Sequence, residues 1–256
     1  MKLIDLSHSL ENDVPADPPG LQPSIEYRSH KAGVAEMLGM FPGLREDQLP
    51  NAEAWAAERL HIQTHNGTHM DAPWHYASTM NGGERAWTID EVPLDWCLRP
   101  GVKLDFRDLP HGHVVGAHEI ARKLSDIGHT LEPFDIVLMN TGAEAAYGTA
   151  EYIHSGCGFG RKATLWLLDH GVRVVGTDAW SWDAPFSFTR ERFAKDGDPS
   201  IIWEGHKAGL EQAYCQLEKL ANLDALPATG FTVSCFPFKI RDASAGFTRA
   251  VAILPD

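Results

Sequence analysis

The chain has 256 residues, of which 43% are hydrophobic, and this supports one full core and favours a single domain. Its net charge of −13 makes nucleic acid and anionic membranes poor partners, and we expect neither. Four widely spaced cysteines without a Cys-x-x-Cys pair favour reduced thiols and a cytoplasmic location. The N-terminus lacks the apolar core of a signal peptide, and no apolar run approaches membrane-spanning length.

The N-terminal quarter combines a short strand with unusually apolar connections. Residues 2–6 are predicted to form a strand, and residues 13–23 form a proline-rich loop. Residues 31–58 include Phe41 and Trp55 and are apolar for a plain connection. We therefore predict that this segment is a lid over a pocket or part of an interface with another subunit.

Beyond this region, helical and strand patterns are interleaved. Ala117–Ile127 is amphipathic, and Arg161–His170 is predicted to be a helix that ends at Gly171. Short β-branched or apolar runs predict further strands at 101–106, 134–139, 172–177, 231–240 and 247–254. The interleaving predicts an α/β fold, with a mixed β-sheet flanked by helices in one domain that spans residues 1–256.

Metal-ligand chemistry is concentrated in one run of eleven residues. Three histidines and one aspartate fall within it: His65, His69, Asp71 and His75. Imidazole and carboxylate together suit Zn²⁺, Mn²⁺ or Fe²⁺, and few other uses require such a cluster. The run therefore predicts a metal site and a metal-activated hydrolase.

The residue types in this run indicate how the cluster is built. Leu60, Ile62 and Thr64 alternate with polar residues, which predicts a strand that ends at His65. Gly67 predicts a turn, after which the residues at 69 and 71 lie on the same side of an extended segment. Pro73 is expected to keep the chain extended and to direct the next histidine back to the site.

Two further candidate ligands, His206 and Glu218, lie in the C-terminal third of the chain. Periodicity allows one helix over His206–Leu223, but residues twelve apart on a continuous helix are separated by roughly 18 Å. Either one of the two is not a ligand, or the helix breaks between them. The weakest helical stretch is Tyr214–Gln216, which is the natural place for such a break.

Motifs for other chemistries are missing from the sequence. It has no Gly-x-Ser-x-Gly elbow, no dinucleotide-binding motif and no P-loop, and the glycine-rich run at 156–160 is interpreted as a tight turn before a helix. Aromatic residues are candidates for a pocket that binds an aromatic or heterocyclic substrate. The predicted substrate-binding residues are Phe41, Trp87 and Trp182, with Trp180 and Phe186 nearby.

The run from His65 to His75 matches the His-x-Gly-Thr-His-x-Asp-x-Pro-x-His signature of the cyclase-like metal-dependent hydrolases. This family includes bacterial kynurenine formamidase and isatin hydrolase. Shorter matches at 4–7, 176–178, 182–183 and 218–223 extend the resemblance over most of the chain. The resemblance implies a swivelling β/β/α-like cyclase fold and at least a homodimer, so we expect a dimer or tetramer.

The resemblance also implies roles for the six candidates. By similarity, His65, His69 and Asp71 look like ligands of a first ion, with Asp71 shared with a second ion. The second ion would be held by His75, His206 and Glu218. Some members of the family use one metal and leave the second histidine set for proton transfer. The carboxylate at 218 favours a second cation, so we expect one or two Zn²⁺ or Mn²⁺ ions per subunit.

These observations predict a metal-dependent hydrolase of an amide, imide or lactone carbonyl, cyclic or aryl-linked, that uses metal-activated water. His75 and His206 are the predicted catalytic residues that move the proton to the leaving nitrogen. One alternative is a metal-dependent lyase or cyclase that catalyses dehydration or ring closure. Another is a non-enzymatic protein that binds a metal or a small ligand, which predicts a saturated coordination shell.

Overall fold

A mixed β-sheet with helices on its surface forms the molecule. The structure, a computed structural model, describes residues 1–255. The helices are α1 (His30–Met40), α2 (Pro73–Tyr76), α3 (Ala117–Asp126), α4 (Arg161–Asp169) and α5 (Phe186–Asp196). The strands are β1 (Lys2–Asp5), β2 (Ser24–Arg28), β3 (Ala57–His61), β4 (His69–Asp71), β5 (Thr79–Met80), β6 (Glu84–Arg85), β7 (Leu98–Asp105), β8 (Val114–Val115), β9 (Ile136–Asn140), β10 (Gly158–Phe159), β11 (Val174–Thr177), β12 (Cys215–Glu218), β13 (Phe231–Ser234), β14 (Ala245–Phe247) and β15 (Val251–Leu254).

Within the described part of the chain, nine strands form the main sheet, in the order β1-β15-β13-β7-β9-β11-β12-β4-β14. The four central strands, β7, β9, β11 and β12, are parallel, and all neighbouring pairs outside them are antiparallel. The sheet curls on itself: Ser7, just after the edge strand β1, pairs with Leu220, just after β12 near the other edge. The predicted α/β fold with a mixed sheet is therefore confirmed.

The two faces of the sheet carry separate cores. Along β9, Ile136 and Leu138 join one hydrophobic cluster, whereas Val137 and Met139 join the other. Every residue of β9 is buried, as expected for a central parallel strand covered on both faces. The second cluster includes the apolar sides of α3 and α4, so these helices cover that face. Their predicted positions are confirmed to within one residue at the C-terminal ends.

The C-terminal strands are shorter than predicted. The strand expected at 231–240 ends at Ser234, and Pro237, which lacks a backbone N–H, lies in the part that is not strand. The strand expected at 247–254 is two strands, because β14 pairs with β4 whereas β15 pairs with β1 and β13. The chain leaves one region of the sheet after Phe247 and joins another at Val251.

The 31–58 segment contains α1 and short turns rather than a plain connection. Ser29 caps α1 by accepting a hydrogen bond from the backbone of Ala32, and β2 pairs with β3 on either side of the segment. Its role as a lid or interface stays a prediction. Sequence patterns missed α5, which begins after Pro185 and ends at Gly197, a residue with φ of 68°. Among the helices of the described residues, none has the length and apolarity needed to cross a membrane.

Candidate metal centre

Two adjacent strands hold one half of the cluster. β4 pairs with β12 in antiparallel register, which sets His69 directly opposite Glu218. His69 Nε2 lies 3.2 Å from Asp71 Oδ1 and 3.6 Å from Glu218 Oε2. One ligand atom from each of the three residues lies within 4.8 Å of the others, which is a suitable arrangement for a metal ion.

His65 lies on a turn, not at a strand end. The strand ends at His61, four residues earlier than predicted, because the chain turns through residues 64–68 before entering β4. Gly67 has a φ of 58°, and a Cβ there would lie 2.8 Å from the Leu10 side chain, so the turn favours glycine. The turn brings His65 Nδ1 to 2.9 Å from Asp71 Oδ1.

His75 reaches the site from a helix. Pro73 does not keep the chain extended as predicted, since it is the first residue of α2, where a proline is well tolerated. The single helical turn places His75 Nε2 3.9 Å from Asp71 Oδ2, and the His65 and His75 rings are 4.0 Å apart. His65, Asp71 and His75 form a second group whose ligand atoms lie within 4.8 Å of one another.

His206 and Glu218 both reach the cluster because no continuous helix joins them, although the chain turns just after Leu210, earlier than the expected break at Tyr214–Gln216, where β12 begins. A short 3₁₀ helix spans His206–Leu210, and the chain then enters β12 at Cys215. His206 Nε2 lies 3.6 Å from Glu218 Oε1, and its ring is 5.7 Å from that of His75. The structure thus brings together all six candidates.

In three of the histidines, the ring nitrogen that does not face Asp71 or Glu218 contacts another polar group of the protein. His69 Nδ1 is 2.9 Å from the Gly67 carbonyl, and His65 Nε2 is 3.0 Å from Ser244 Oγ. His206 Nδ1 is 2.5 Å from Asp183 Oδ2. Such contacts fix the orientation of each ring. The other ring nitrogen, which faces the carboxylates, is then available to bind a cation. Sequence reasoning assigned no role to Asp183, although it lies in a short stretch that resembles the family.

The carboxylate of Asp71 is the strongest sign of a cation. It is fully buried, and neither oxygen receives a well-directed hydrogen bond from any group in residues 1–255. Burial raises the pKa of Asp71, but the nearby His75, His69 and His65 outweigh it and hold this pKa well below its usual range. A buried anion is costly unless cations or well-directed donors compensate it, so this nitrogen and oxygen cluster fits a divalent ion.

Burial and neighbouring charges also shift the pKa values of Glu218, His75 and His206. Burial, together with repulsion from Asp71, raises the pKa of Glu218. Burial lowers the pKa of His75 to about 4. Burial opposes charge on His206 as well, but the hydrogen bond to Asp183 outweighs it and raises that pKa. The two predicted catalytic histidines therefore have pKa values that are pushed in opposite directions.

A cavity of about 220 Å³ opens onto the cluster. Three histidines line it, and its aromatic walls are Trp180, Phe186 and Trp203. Trp203, which sequence reasoning missed, stacks on His206 with ring centroids 4.5 Å apart. It lies three residues before that histidine, and the backbone turn between them was not apparent from the sequence.

The three predicted substrate-binding aromatics lie elsewhere. The ring of Trp182 is fully buried in the core and donates to Thr164, while its backbone N–H donates to Glu218. Trp87 packs against Trp96 in the other core cluster. Phe41 is 57% exposed at the end of α1. None of the three lines the cavity beside the cluster, since the rings of Trp182 and Trp87 pack in the core and Phe41 lies at the end of α1.

The fold and the cluster define a class: an α/β protein whose buried histidines and carboxylates suit a divalent metal below an aromatic cavity. Residues 4–184 match the family described as "Putative cyclase", and the chain belongs to this cyclase family. The kynurenine formamidase of Erythrobacter litoralis (strain HTCC2594) is 30% identical over 199 residues, which cover 77% of each chain.

Solved structures show the same fold. Isatin hydrolase A from Labrenzia aggregata, bound to benzyl benzoate, is 25% identical, with a TM-score of 0.72 over 100% of this chain and 94% of that one. An isatin hydrolase bound to the product analogue thioisatinate is 20% identical, with a TM-score of 0.75 over 100% and 93% of the two chains. The expected cyclase fold is therefore confirmed.

Proposed function

We propose that this protein is a metal-dependent hydrolase that cleaves an amide, imide or lactone carbonyl in an aromatic or heterocyclic small molecule. The observation that carries the proposal is the fully buried carboxylate of Asp71, whose polar neighbours at 2.9–3.9 Å are ring nitrogens of His65, His69 and His75 below an aromatic cavity. Relatives named kynurenine formamidase and isatin hydrolase support hydrolysis of a carbon–nitrogen bond.

We assign His65, His69 and Asp71 to a first ion, and His75, His206 and Glu218, with Asp71 shared, to a second. Ligand atoms of the first set lie 2.9–3.3 Å apart, and contacts of 3.6 and 3.9 Å join His206 to Glu218 and His75 to Asp71 in the second set, which supports the assignment; His69 also lies 3.6 Å from Glu218, so the two positions adjoin. The nitrogen and oxygen donors suit Zn²⁺ or Mn²⁺. A bound divalent ion would supply Lewis acidity and activate water at neutral pH.

We assign proton transfer to His75 and His206 when one ion occupies the first position. His75 is neutral at pH 7, because its pKa is about 4, and its partly exposed ring can accept a proton. Asp183 holds His206 at Nδ1 and raises its pKa, so Nε2 can donate a proton towards the leaving nitrogen. Groups whose pKa values are separated in this way suit acid and base roles.

Turnover of a substrate panel tests the proposal. Protein loaded with Mn²⁺ or Zn²⁺ is incubated with N-formyl aromatic amines, isatin-like lactams and aryl lactones. We expect turnover of at least one class, with ¹⁸O from labelled water in the new carboxylate. Turnover without ¹⁸O would favour the lyase or cyclase alternative. Metal binding without any turnover would favour the non-enzymatic alternative.

We also propose a homo-oligomer in the cytoplasm. Met40 and Phe41 are 58% and 57% exposed at the end of α1, which supports an apolar contact with a second copy. The four cysteines, all within the described residues, are free and buried, which supports a reducing compartment. Light scattering should give a dimer or tetramer, and a stable monomer at micromolar concentration would contradict this proposal.

A further inference from the structure

A buried ion pair lies in the cavity wall beside the six candidate ligands. Lys219 Nζ contacts Asp17 Oδ1, and the two residues are 1% and 7% exposed. Both residues line the cavity. A buried ion pair of this kind adds little net stability compared with apolar side chains of similar volume. Stability alone therefore does not explain why these two charges lie in the cavity wall.

Asp17 gathers donors from three distant parts of the chain. Besides Lys219, its carboxylate accepts hydrogen bonds from Asn66 Nδ2 at 2.9 Å and from Trp180 Nε1 at 3.0 Å. Asn66 also donates to the carbonyl of Leu21 at 2.7 Å. The proline-rich loop is thus tied both to the turn that carries His65 and to the aromatic wall.

Lys219 contacts the same turn through both its side chain and its backbone. Its Nζ donates to the carbonyl of His65 at 2.8 Å, and Thr68 Oγ1 donates to the Lys219 carbonyl at 2.6 Å. The backbone of Lys219 has a φ of 57°, which is uncommon for this residue type. Lys219 therefore contacts both ends of the turn and directly follows Glu218 in the chain.

His65 needs such support more than the ligands on strands do. Its side chain is 27% exposed and its backbone lies in a turn, whereas His69 is fully buried in β4. We propose that Asp17 and Lys219 are positioning residues that hold the His65 turn and the Trp180 ring in place for the metal centre. This inference rests on the proposed metal site, but not on any particular substrate.

Metal affinity measured beside stability tests the inference. The variants are Asp17→Asn, Lys219→Met and the double variant, and Zn²⁺ affinity is measured by competition with a chelating dye. We expect each single variant to lose both thermal stability and Zn²⁺ affinity. The double variant should recover part of the stability, because no charge is left alone in the interior. Its Zn²⁺ affinity should stay about 10- to 100-fold weaker than that of the wild type.

A matched control and an uncharged variant complete the design. Lys123→Met removes an ion pair with Asp108 outside the cavity and should leave Zn²⁺ affinity unchanged. Thr68→Val removes the hydroxyl that donates to the Lys219 carbonyl and accepts from the His8 N–H, without changing a charge. It should weaken Zn²⁺ binding even if the charge variants fail to fold.

Wild-type Zn²⁺ affinity in the double variant, or in Thr68→Val if the double variant does not fold, would overturn the inference. The test distinguishes a failure of the positioning role from a failure of the proposed hydrolase function. If the affinities shift as expected and no amide or lactone is hydrolysed, the positioning role stands and the proposed function fails. If hydrolysis occurs and the affinities do not shift, the function stands and the positioning role fails.

Discussion

The six candidate ligands divide into a strand-held group and a turn-held group. His69, Asp71 and Glu218 lie on β4 and β12, and their side chains are 0%, 0% and 8% exposed. His65 and His75 come from a turn and a short helix and are 27% and 23% exposed. The backbone ladder positions the first group, whereas the second depends on contacts made by neighbouring side chains.

His206 shows how side-chain contacts can replace a ladder. It lies in a short 3₁₀ helix, yet its side chain is 2% exposed. Asp183 receives hydrogen bonds from the backbone N–H groups of Gly205 and His206 and also contacts the imidazole. The ring of Trp203 stacks on the imidazole. A turn-held residue can therefore be as well fixed as a strand-held one when enough groups converge on it.

Removing a first-ion ligand from either group should have the largest effect. Asp71→Ala on the strand and His65→Ala on the turn should each abolish metal retention and turnover, because each removes a donor to the first ion. Folding should largely survive, since neither His65 nor Asp71 belongs to the two hydrophobic clusters of the core. Elemental analysis and circular dichroism check this, and full metal content in both variants would contradict the ligand assignment.

Substitution of the predicted proton-transfer residues should have the second-largest effect on activity. His75→Asn and His206→Asn should each lower kcat by about 10²- to 10⁴-fold, with a smaller change in KM. If a variant also loses one metal equivalent, the histidine is a ligand as well as a proton carrier. Steady-state kinetics with metal analysis separates these roles. Unchanged kcat in both variants would show that neither residue carries the proton.

A smaller effect is expected when the support of His206 is weakened. Asp183→Asn keeps the size of the side chain but removes the charge that orients the imidazole. We expect kcat to fall by about 10- to 100-fold and its pH profile to shift to lower pH, because the carboxylate raises the pKa of His206. An unchanged pH profile would mean that the charge of Asp183 does not set the pKa of His206.

The smallest effect concerns stability rather than activity. Burial lowers the pKa of His8 to about 4 from an ordinary 6.5, and its ring stacks on Tyr147 at 3.5 Å. The imidazole of His8 binds a proton more readily in the unfolded chain than in the folded one. The stability that comes from burying neutral His8 is therefore present above pH 6.5 and is lost as pH falls towards 4. His8→Phe keeps an aromatic ring and should unfold with a weaker pH dependence over this window. Denaturation with urea at several pH values measures the difference.

The sequence predicted the strand-held group better than its surroundings. Short apolar runs identified the central strands, and the helix arithmetic, together with the resemblance that makes both His206 and Glu218 ligands, predicted that no continuous helix joins them, as the structure has it. By contrast, α5 has little buried apolar surface, with Thr189 as its one buried residue among those described, so no clear periodicity marks it. The pair of Asp17 and Lys219 is separated by 202 residues and could not be inferred from local patterns.

The proposed site requires a metal ion bound by His65, His69 and Asp71 of the eleven-residue run, with His206 and Glu218 as distant partners. Anomalous diffraction from crystals grown with Zn²⁺ tests this most directly. We predict a peak roughly 2.0–2.2 Å from ligand atoms of His65, His69 and Asp71, with or without a second peak beside His75, His206 and Glu218. A fully loaded crystal whose peaks lie away from Asp71 would contradict the account.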